Sequence, residues 1–250
     1  MDSQEKLLIA KTEDLFKMCD KRSEPQFSFF LNEAEQAFII REIGCRYGYN
    51  TAFFGGFGES GRKVFGVFPE WQEIENELFP ISAVKIVNRY TKQLTHRDFL
   101  GSIMSNGITR EQIGDIIVND DTAYVFMISE LAEYIAMNLK KIGNVGVKVS
   151  IAGLSEIKPP EQKFMTIAAV AASQRLDAVV AAMLKLSRKD AHDLIVGGAV
   201  SVNYTQTENA SLMLKEKDII SARGFGKYIF DEIGNRTGSQ RLHITVKKYI

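Results

Sequence analysis

The stretch from Ile81 to Ile151 constrains the fold of this 250-residue chain most, because the spacing of its apolar residues alternates between the strand and the helix period. Short β-branched and aromatic runs predict strands, and longer runs with helical spacing predict helices. In chain order, the predicted elements are a strand at Ile81–Arg89, a helix at Arg97–Ser105, strands at Gly114–Val118 and Ala123–Ile128, a helix at Ser129–Ile142 and a strand at Val145–Ile151. The sequence therefore predicts an α+β domain over residues 81–158.

The order β-α-β-β-α-β is the split arrangement of ferredoxin-like folds, a class that also contains RNA-recognition modules. We therefore predict a ferredoxin-like, RRM-like domain in the centre of the chain. Residues 1–80 predict a separate N-terminal α+β unit. Its helical spacing extends to about residue 47 with a break at Ser23–Pro25, Asn32 and Glu35 form a capping box, and residues 51–68 have a hairpin pattern.

The end of the chain predicts a third unit. Pro159 and Pro160 resist both helix and strand pairing, so residues 159–171 are expected to form a linker. Residues 172–250 begin with two helical patterns, and short strand patterns follow them. The helices are predicted at about Ser173–Leu184 and Arg188–Val196, and the strands at Ala199–Asn203, Asp218–Ala222, Lys227–Glu232 and Arg241–Lys248. This unit is expected to place two helices on a small β-sheet that ends in a hairpin.

Three glycines resemble a nucleotide-binding motif. Gly56, Gly58 and Gly61 have the spacing G-x-G-x-x-G, and the same stretch nearly matches a P-loop. Both motifs require a strand before the glycines and a helix after them, so that the helix N-terminus faces the phosphate. Residues 64–69 have a strand pattern instead, so we favour a hairpin turn over a nucleotide site.

Few residues suggest catalysis or metal binding. Cys19 and Cys45 cannot form a C-x-x-C pair and the three histidines lie far apart, so neither a metal site nor a cofactor is expected. Asp120 and Asp121 are more typical of a solvated turn than of an acid–base pair, and no catalytic residue is predicted.

The sequence also bears on localisation. No apolar run approaches the roughly 18 residues of a membrane helix, and the first residues lack a signal-peptide pattern, so we expect a cytoplasmic protein.

Charge is distributed unevenly along the chain. The 31 Lys and Arg residues balance 31 Asp and Glu residues, which is not typical of a nucleic-acid-binding protein taken whole. Residues 172–250, however, contain 12 basic and 8 acidic residues, a net charge of +4, whereas residues 1–80 contain 9 and 14, a net charge of −5. The distribution indicates that the functional module is the basic unit at the C-terminal end.

The basic residues of this module fall near the starts of its two predicted helices. Ser187 is placed to cap the second helix, close to free backbone amides that would also bind an anion. We expect the basic side chains around it to converge on an RNA phosphate, and a solvated charged face is the alternative. The predicted RNA-binding residues are Arg175, Lys185, Ser187, Arg188, Lys189, His192, Arg223 and Lys227.

The same residues carry a family resemblance. The pattern R-L-D followed by S-R-K-x-A-x-x-L-I-x-x-G-x-V-x-V-N, from Arg175 to Asn203, resembles the S4 RNA-binding domain. Tyr204 and Lys217 depart from the family pattern, because many members have glycine at these positions. The stretch Gly107–Ile116, with the S4 pattern downstream, resembles the YlmH family of bacterial proteins over nearly the whole chain.

The resemblance to that family implies an RNA-recognition-like central domain, an S4 domain that binds rRNA and tRNA on the large ribosomal subunit, and a role in ribosome-associated quality control. We therefore expect a non-catalytic RNA-binding protein whose partners are structured rRNA, tRNA and the large subunit, with no DNA specificity and no membrane span. One alternative is an rRNA-modifying enzyme, a pseudouridine synthase or methyltransferase, with an appended S4 domain. Another is a scaffold whose acidic N-terminal unit binds a partner protein.

Overall fold

The computed structural model describes residues 3–44, 46–88, 94–119, 121–159, 161–238 and 240–250. The chain forms two compact units, residues 1–160 and residues 161–250. Within the described ranges, no helix is long and apolar enough to cross a membrane. Four residues that the sequence predictions include lie outside the described residues: Cys45, Arg89, Asp120 and Pro160.

The first unit begins with two helices and a three-stranded sheet. Its elements are α1 (Ser3–Arg22), β1 (Gln26–Leu31), α2 (Glu33–Glu42), β2 (Tyr49–Phe54) and β3 (Lys63–Pro69). The predicted capping box is confirmed, because the Asn32 side chain accepts from the Glu35 N–H at 3.0 Å and the Glu35 carboxylate accepts from the Asn32 N–H at 2.7 Å. The expected helical structure up to residue 47 is wrong at β1. This six-residue segment is extended because it pairs antiparallel with β3, a distant contact that the local pattern does not contain.

The rest of the first unit has the predicted β-α-β-β-α-β order. Its elements are β4 (Ile81–Asn88), α3 (His96–Met104), β5 (Ile113–Asn119), β6 (Thr122–Ile128), α4 (Ser129–Asn138), β7 (Lys141–Ile142) and β8 (Val145–Ala152). The strands are antiparallel in the order β5–β6–β4–β8–β7, so β6 and β4 lie inside the sheet. α4 ends four residues before the predicted Ile142 because the chain becomes extended at Leu139 and forms the short β7–β8 hairpin.

Both faces of this five-stranded sheet pack against other elements. On one face, Phe99 and Ile103 of α3 and Ile135 of α4 are buried with Val84 and Ile86 of β4. On the other face, the sheet is buried against the N-terminal elements in a cluster formed by Phe30, Val64, Phe68, Phe79, Ile81, Ala83, Ile117, Phe126, Ile128 and Ile157. Residues 1–80 and 81–158, predicted as separate units, therefore share this hydrophobic cluster.

The glycine-rich segment joins β2 to β3, which confirms its interpretation as the turn of a hairpin. The carboxylate of Asp115 in β5 accepts from the backbone N–H groups of Gly61 at 2.6 Å and Arg62 at 3.2 Å, and burial raises the pKa of Asp115 above its ordinary value. The Arg62 guanidinium donates to the carbonyls of Phe30 at 2.9 Å and Ile113 at 3.0 Å. Amides that would cradle a phosphate in a nucleotide-binding loop here bind a carboxylate of the same chain, and they fix the hairpin to the central sheet.

The second unit is a six-stranded antiparallel sheet with two helices. Its elements are β9 (Phe164–Ala171), α5 (Leu176–Leu184), α6 (Arg188–Val196), β10 (Val200–Val202), β11 (Thr205–Gln206), β12 (Ile219–Ala222), β13 (Gly226–Arg236) and β14 (Leu242–Tyr249). The strand order is β11–β10–β12–β13–β14–β9. The predicted linker is wrong over Phe164–Ala171, because the residues of this stretch pair with β14 along their whole length.

The two helices cover one face of the six-stranded sheet. Leu176 and Val179 of α5 and Ile195 of α6 are buried with Ile220 of β12 and Phe230 of β13. Since side chains alternate along a strand, the residues next to these core positions belong to the opposite face of the sheet.

Candidate nucleic-acid interface

Two arginines from different helices meet on one buried carboxylate. Asp177, in the first turn of α5, is 3% exposed. Its carboxylate accepts from Nε and Nη2 of Arg175 at 3.1 and 3.0 Å, and from Nε and Nη2 of Arg188 at 3.3 and 3.2 Å. The structure thus brings together the two arginines that the sequence places at the starts of the two helices.

The arginines remain accessible although they are anchored. The side chains of Arg175 and Arg188 are 36% and 60% exposed, so the two cations face solvent on one side and Asp177 on the other. Hydrogen bonds from Arg175, and then from Arg188, lower the pKa of the Asp177 carboxyl against the opposing effect of burial. Asp177 is therefore an anion that orients two cations, and an approaching phosphate would meet both guanidinium groups in fixed positions.

The backbone around Arg175 is held by a neighbouring loop. Arg175 forms an isolated antiparallel bridge with Met213, and the Leu176 and Asp177 N–H groups donate to the carbonyls of Leu212 at 2.8 Å and Ala210 at 3.0 Å. The first amides of α5 are therefore occupied within the chain. Side chains, rather than these amides, are what this helix presents to a ligand.

The start of α6 is also built from predicted site residues. Ser187 is its N-cap, as expected: the hydroxyl accepts from the Asp190 N–H at 3.1 Å and donates to the Asp190 carboxylate at 2.7 Å. Lys185 ends α5 in a left-handed conformation with φ of 55°, which turns the chain sharply into α6. Ser187 and Lys185 therefore shape the junction between α5 and α6.

Lys189 and His192 lie on the exposed side of α6. His192 follows Arg188 by one helical turn, so these two share an edge of the helix, and Lys189 lies farther from the core. The Nδ1 atom of His192 is 3.6 Å from a carboxylate oxygen of Asp193, which is longer than a hydrogen bond. Both side chains extend the basic surface that begins at Arg188.

The two remaining predicted residues are not part of this cluster. The Arg223 N–H donates to the carbonyl of Ala199, beyond the C-terminal end of α6, so Arg223 lies at the other end of that helix from Arg188. Lys227 is the strand neighbour of Tyr228, whose ring is buried in the core under the helices, so Lys227 belongs to the opposite face of the sheet. Its Nζ lies over the rings of Tyr204 and Tyr249, 4.7 and 4.8 Å from their centroids. Strand alternation separates Lys227 from the arginines, a constraint that charge counting along the chain does not capture.

Asp177 organises this cluster, although it is not among the residues predicted from the sequence. The sequence contained a signal for this role, because an acid two residues after Arg175, at a position of the apolar stripe of α5, needs a cationic partner when it is buried.

The backbone explains the two departures from the S4 pattern. Tyr204 and Lys217 adopt left-handed conformations, with φ of 65° and 73°. The left-handed turns that glycine would favour are kept here with larger side chains.

The central domain offers a different surface. RNA-recognition modules stack bases on aromatic residues of a sheet face, and here much of that face is buried against the N-terminal elements. Tyr124 of β6 remains partly exposed, with Lys85 Nζ 5.9 Å from its ring centroid. In the first unit, the face that such modules use for RNA is therefore mainly a structural interface.

Comparisons with known proteins agree with this architecture. Residues 69–158 match a family described as "Putative RNA-binding domain in YlmH", and residues 174–220 match the S4 domain. The chain is similar to "Ribosome-associated protein quality control protein P2" of Bacillus subtilis (strain 168), with 29% identity over 222 residues, which cover 88% of this chain and 85% of that protein. Its fold is similar to that of "Cell division protein ylmH from Streptococcus pneumoniae", with a TM-score of 0.53 and 24% identity over 64% of this chain and 97% of that one. The chain thus combines a match to a YlmH-type RNA-binding domain with a match to the S4 domain, in the order that the resemblance to the YlmH family predicts.

Proposed function

We propose that this chain is a non-catalytic protein that docks its S4 domain on structured rRNA and tRNA of the large ribosomal subunit. The observation that carries the proposal is the anchoring of Arg175 and Arg188 on one buried carboxylate. Guanidinium groups held in place bind phosphate oxygens with little loss of side-chain freedom. Because double-helical RNA hides its base edges in a deep and narrow groove, backbone and shape are expected to dominate recognition.

The ribosomal part of the proposal is supported by the similarity to the Bacillus subtilis protein, whose name assigns it to ribosome-associated quality control. We infer the same role for this chain, in the cytoplasm, with the large subunit and tRNA as partners. The net charge of +4 over residues 172–250 against −5 over residues 1–80 favours local docking over indiscriminate RNA binding.

The proposal is tested by replacing Arg188 and Lys189 with alanine. We expect binding to purified large subunits to weaken about tenfold or more, and the slope of log affinity against log salt to decrease by about one for each lost phosphate contact. The matched control is Lys21→Ala with Arg22→Ala, an adjacent basic pair in the last turn of α1. An unchanged affinity and slope in a correctly folded double variant would contradict the proposed interface.

The non-catalytic part needs a separate measurement. Mass mapping of rRNA from cells with and without the protein distinguishes a binding protein from an rRNA-modifying enzyme. We expect identical modification patterns. A modification that disappears with the protein would instead support the pseudouridine synthase or methyltransferase alternative.

A further inference from the structure

Three large apolar side chains are exposed near one end of the β2–β3 hairpin. Tyr47 is 96% exposed, Trp71 73% and Ile74 41%. β2 begins where β3 ends, with Tyr49 paired to Pro69, so Tyr47 and Trp71 each lie two residues beyond the same end of the hairpin. This end lies away from the glycine-rich turn that Asp115 fixes. Ile74 follows Trp71 by three residues in the same segment. Exposed apolar groups that occur together mark interaction surfaces more often than single exposed residues do.

The segment that carries Trp71 is held in place by hydrogen bonds. The Asn50 side chain donates to the carbonyls of Glu70 and Gln72, both at 3.1 Å, and the Gln72 N–H donates to the Pro69 carbonyl at 2.9 Å. Trp71 is therefore displayed on a fixed turn. A side chain presented in this way loses little conformational freedom when a partner covers it.

Charge restricts which partner this surface can take. Glu70, Glu73, Glu75 and Glu77 are all exposed, and no lysine or arginine occurs between residues 70 and 77. Such a surface repels the phosphates of RNA and attracts lysine and arginine. Tryptophan adds to this preference, because its ring binds cations over its face and is enriched among the residues that dominate protein interfaces.

We propose that Tyr47, Trp71 and Ile74, with the four exposed glutamates of residues 70–77, form a docking surface for a lysine- and arginine-rich segment of a basic protein. The ribosome is the source of that partner, and this assignment rests on the proposed function. The acidic surface of the first unit would then bind a ribosomal protein, while the S4 domain binds RNA. In this arrangement, the negative net charge of the N-terminal part contributes to binding a protein.

The single tryptophan of the chain makes the proposal directly measurable. Individual large-subunit proteins, purified free of rRNA, are titrated into the intact chain while Trp71 emission is followed. We expect at least one of them to shift the emission to shorter wavelength in a saturable manner. With that protein labelled and followed by anisotropy, Trp71→Ala should weaken binding about tenfold or more, and Glu73→Gln with Glu75→Gln should weaken it and reduce its salt dependence.

The matched controls lie on α4, where Tyr134→Ala and Glu130→Gln with Glu133→Gln remove an exposed aromatic ring and two exposed carboxylates. These variants should bind as the unchanged chain does.

The proposal is overturned if no protein shifts the emission, if an rRNA fragment shifts it instead, or if poly-L-lysine binds equally well and Trp71→Ala has no effect. The titration does not depend on the S4 domain, so failure here with intact binding to large subunits removes only this inference. Loss of the Arg188 and Lys189 effect with a positive titration removes only the proposed RNA interface.

Discussion

Asp177 and Arg188 lie eleven residues apart on two different helices, and the carboxylate of one accepts a hydrogen bond from Nη2 of the other at 3.2 Å. Since Asp177 also binds Arg175, a single acid fixes both arginines. The acid reduces the local positive charge, yet it orders the groups that would bind phosphate. In the proposed RNA interface, geometry and net charge are therefore expected to have opposite effects on affinity.

This opposition gives the sharpest test of the site. Asp177→Asn makes the second unit one charge more positive, so long-range attraction alone predicts tighter RNA binding. We expect weaker binding instead, by about three- to tenfold, because the arginines lose their common anchor. Asp193→Asn, on the exposed side of α6, adds the same charge without touching either arginine and should bind slightly more tightly. Affinities of the two variants for the same structured RNA, measured at one salt concentration, decide the matter: tighter binding by both would mean that positioning is unimportant.

Stability should depend on pH through the same residue. The pKa of Asp177 is lowered in the folded chain, first by the hydrogen bond from Arg175, so its contribution is present above the unfolded-state pKa of about 3.9 and is lost as the pH falls through the folded value. We expect Asp177→Asn to reduce the free energy of unfolding by about 1–2 kcal/mol at pH 7, and by progressively less below about pH 4. Urea unfolding followed by circular dichroism, at pH 7 and below about pH 4, checks this difference between the variant and the unchanged chain. A difference that is independent of pH would show that the ion pairs contribute nothing.

The glycine-rich turn provides a stability test in the first unit. Gly56 has φ of 99°, and a Cβ added there would lie 2.3 Å from Cδ1 of Phe126, whereas a Cβ on Gly58 would meet nothing within 4 Å. Gly56→Ala should therefore destabilise the first unit by about 2–4 kcal/mol through strain and overpacking. Gly58→Ala should change stability by less than about 0.5 kcal/mol. Urea unfolding followed by circular dichroism compares the two, and equal effects would contradict a packing role for Gly56.

Local patterns predicted the elements that local chemistry controls. The capping box at Asn32, the helix at Arg188–Val196 and the β-α-β-β-α-β order were all visible, since capping, helical period and turn residues act over a few positions. Pairing between distant segments was not visible. β1 and β9 are strands because β3 and β14 lie beside them, and Phe30 and Phe126 share a core although almost a hundred residues separate them. The candidate site divides in the same way, because helix spacing brought Arg175 and Arg188 to neighbouring helix starts, whereas strand alternation placed Lys227 elsewhere.

The separation of Lys227 from the arginines leads to a final prediction. If the RNA interface is the surface around the two helix starts, Lys189→Ala should lower the affinity for structured RNA and reduce the salt slope by about one. Lys227→Ala should change the affinity by less than about twofold, since its Nζ lies over Tyr204 and Tyr249 on the opposite face of the sheet. The two variants remove the same charge from the same unit, so non-specific attraction should decrease equally in both. Salt titrations of RNA binding by each variant therefore separate contact from charge: equal losses would extend the interface around the sheet, and a loss confined to Lys189→Ala would limit it to the helix side.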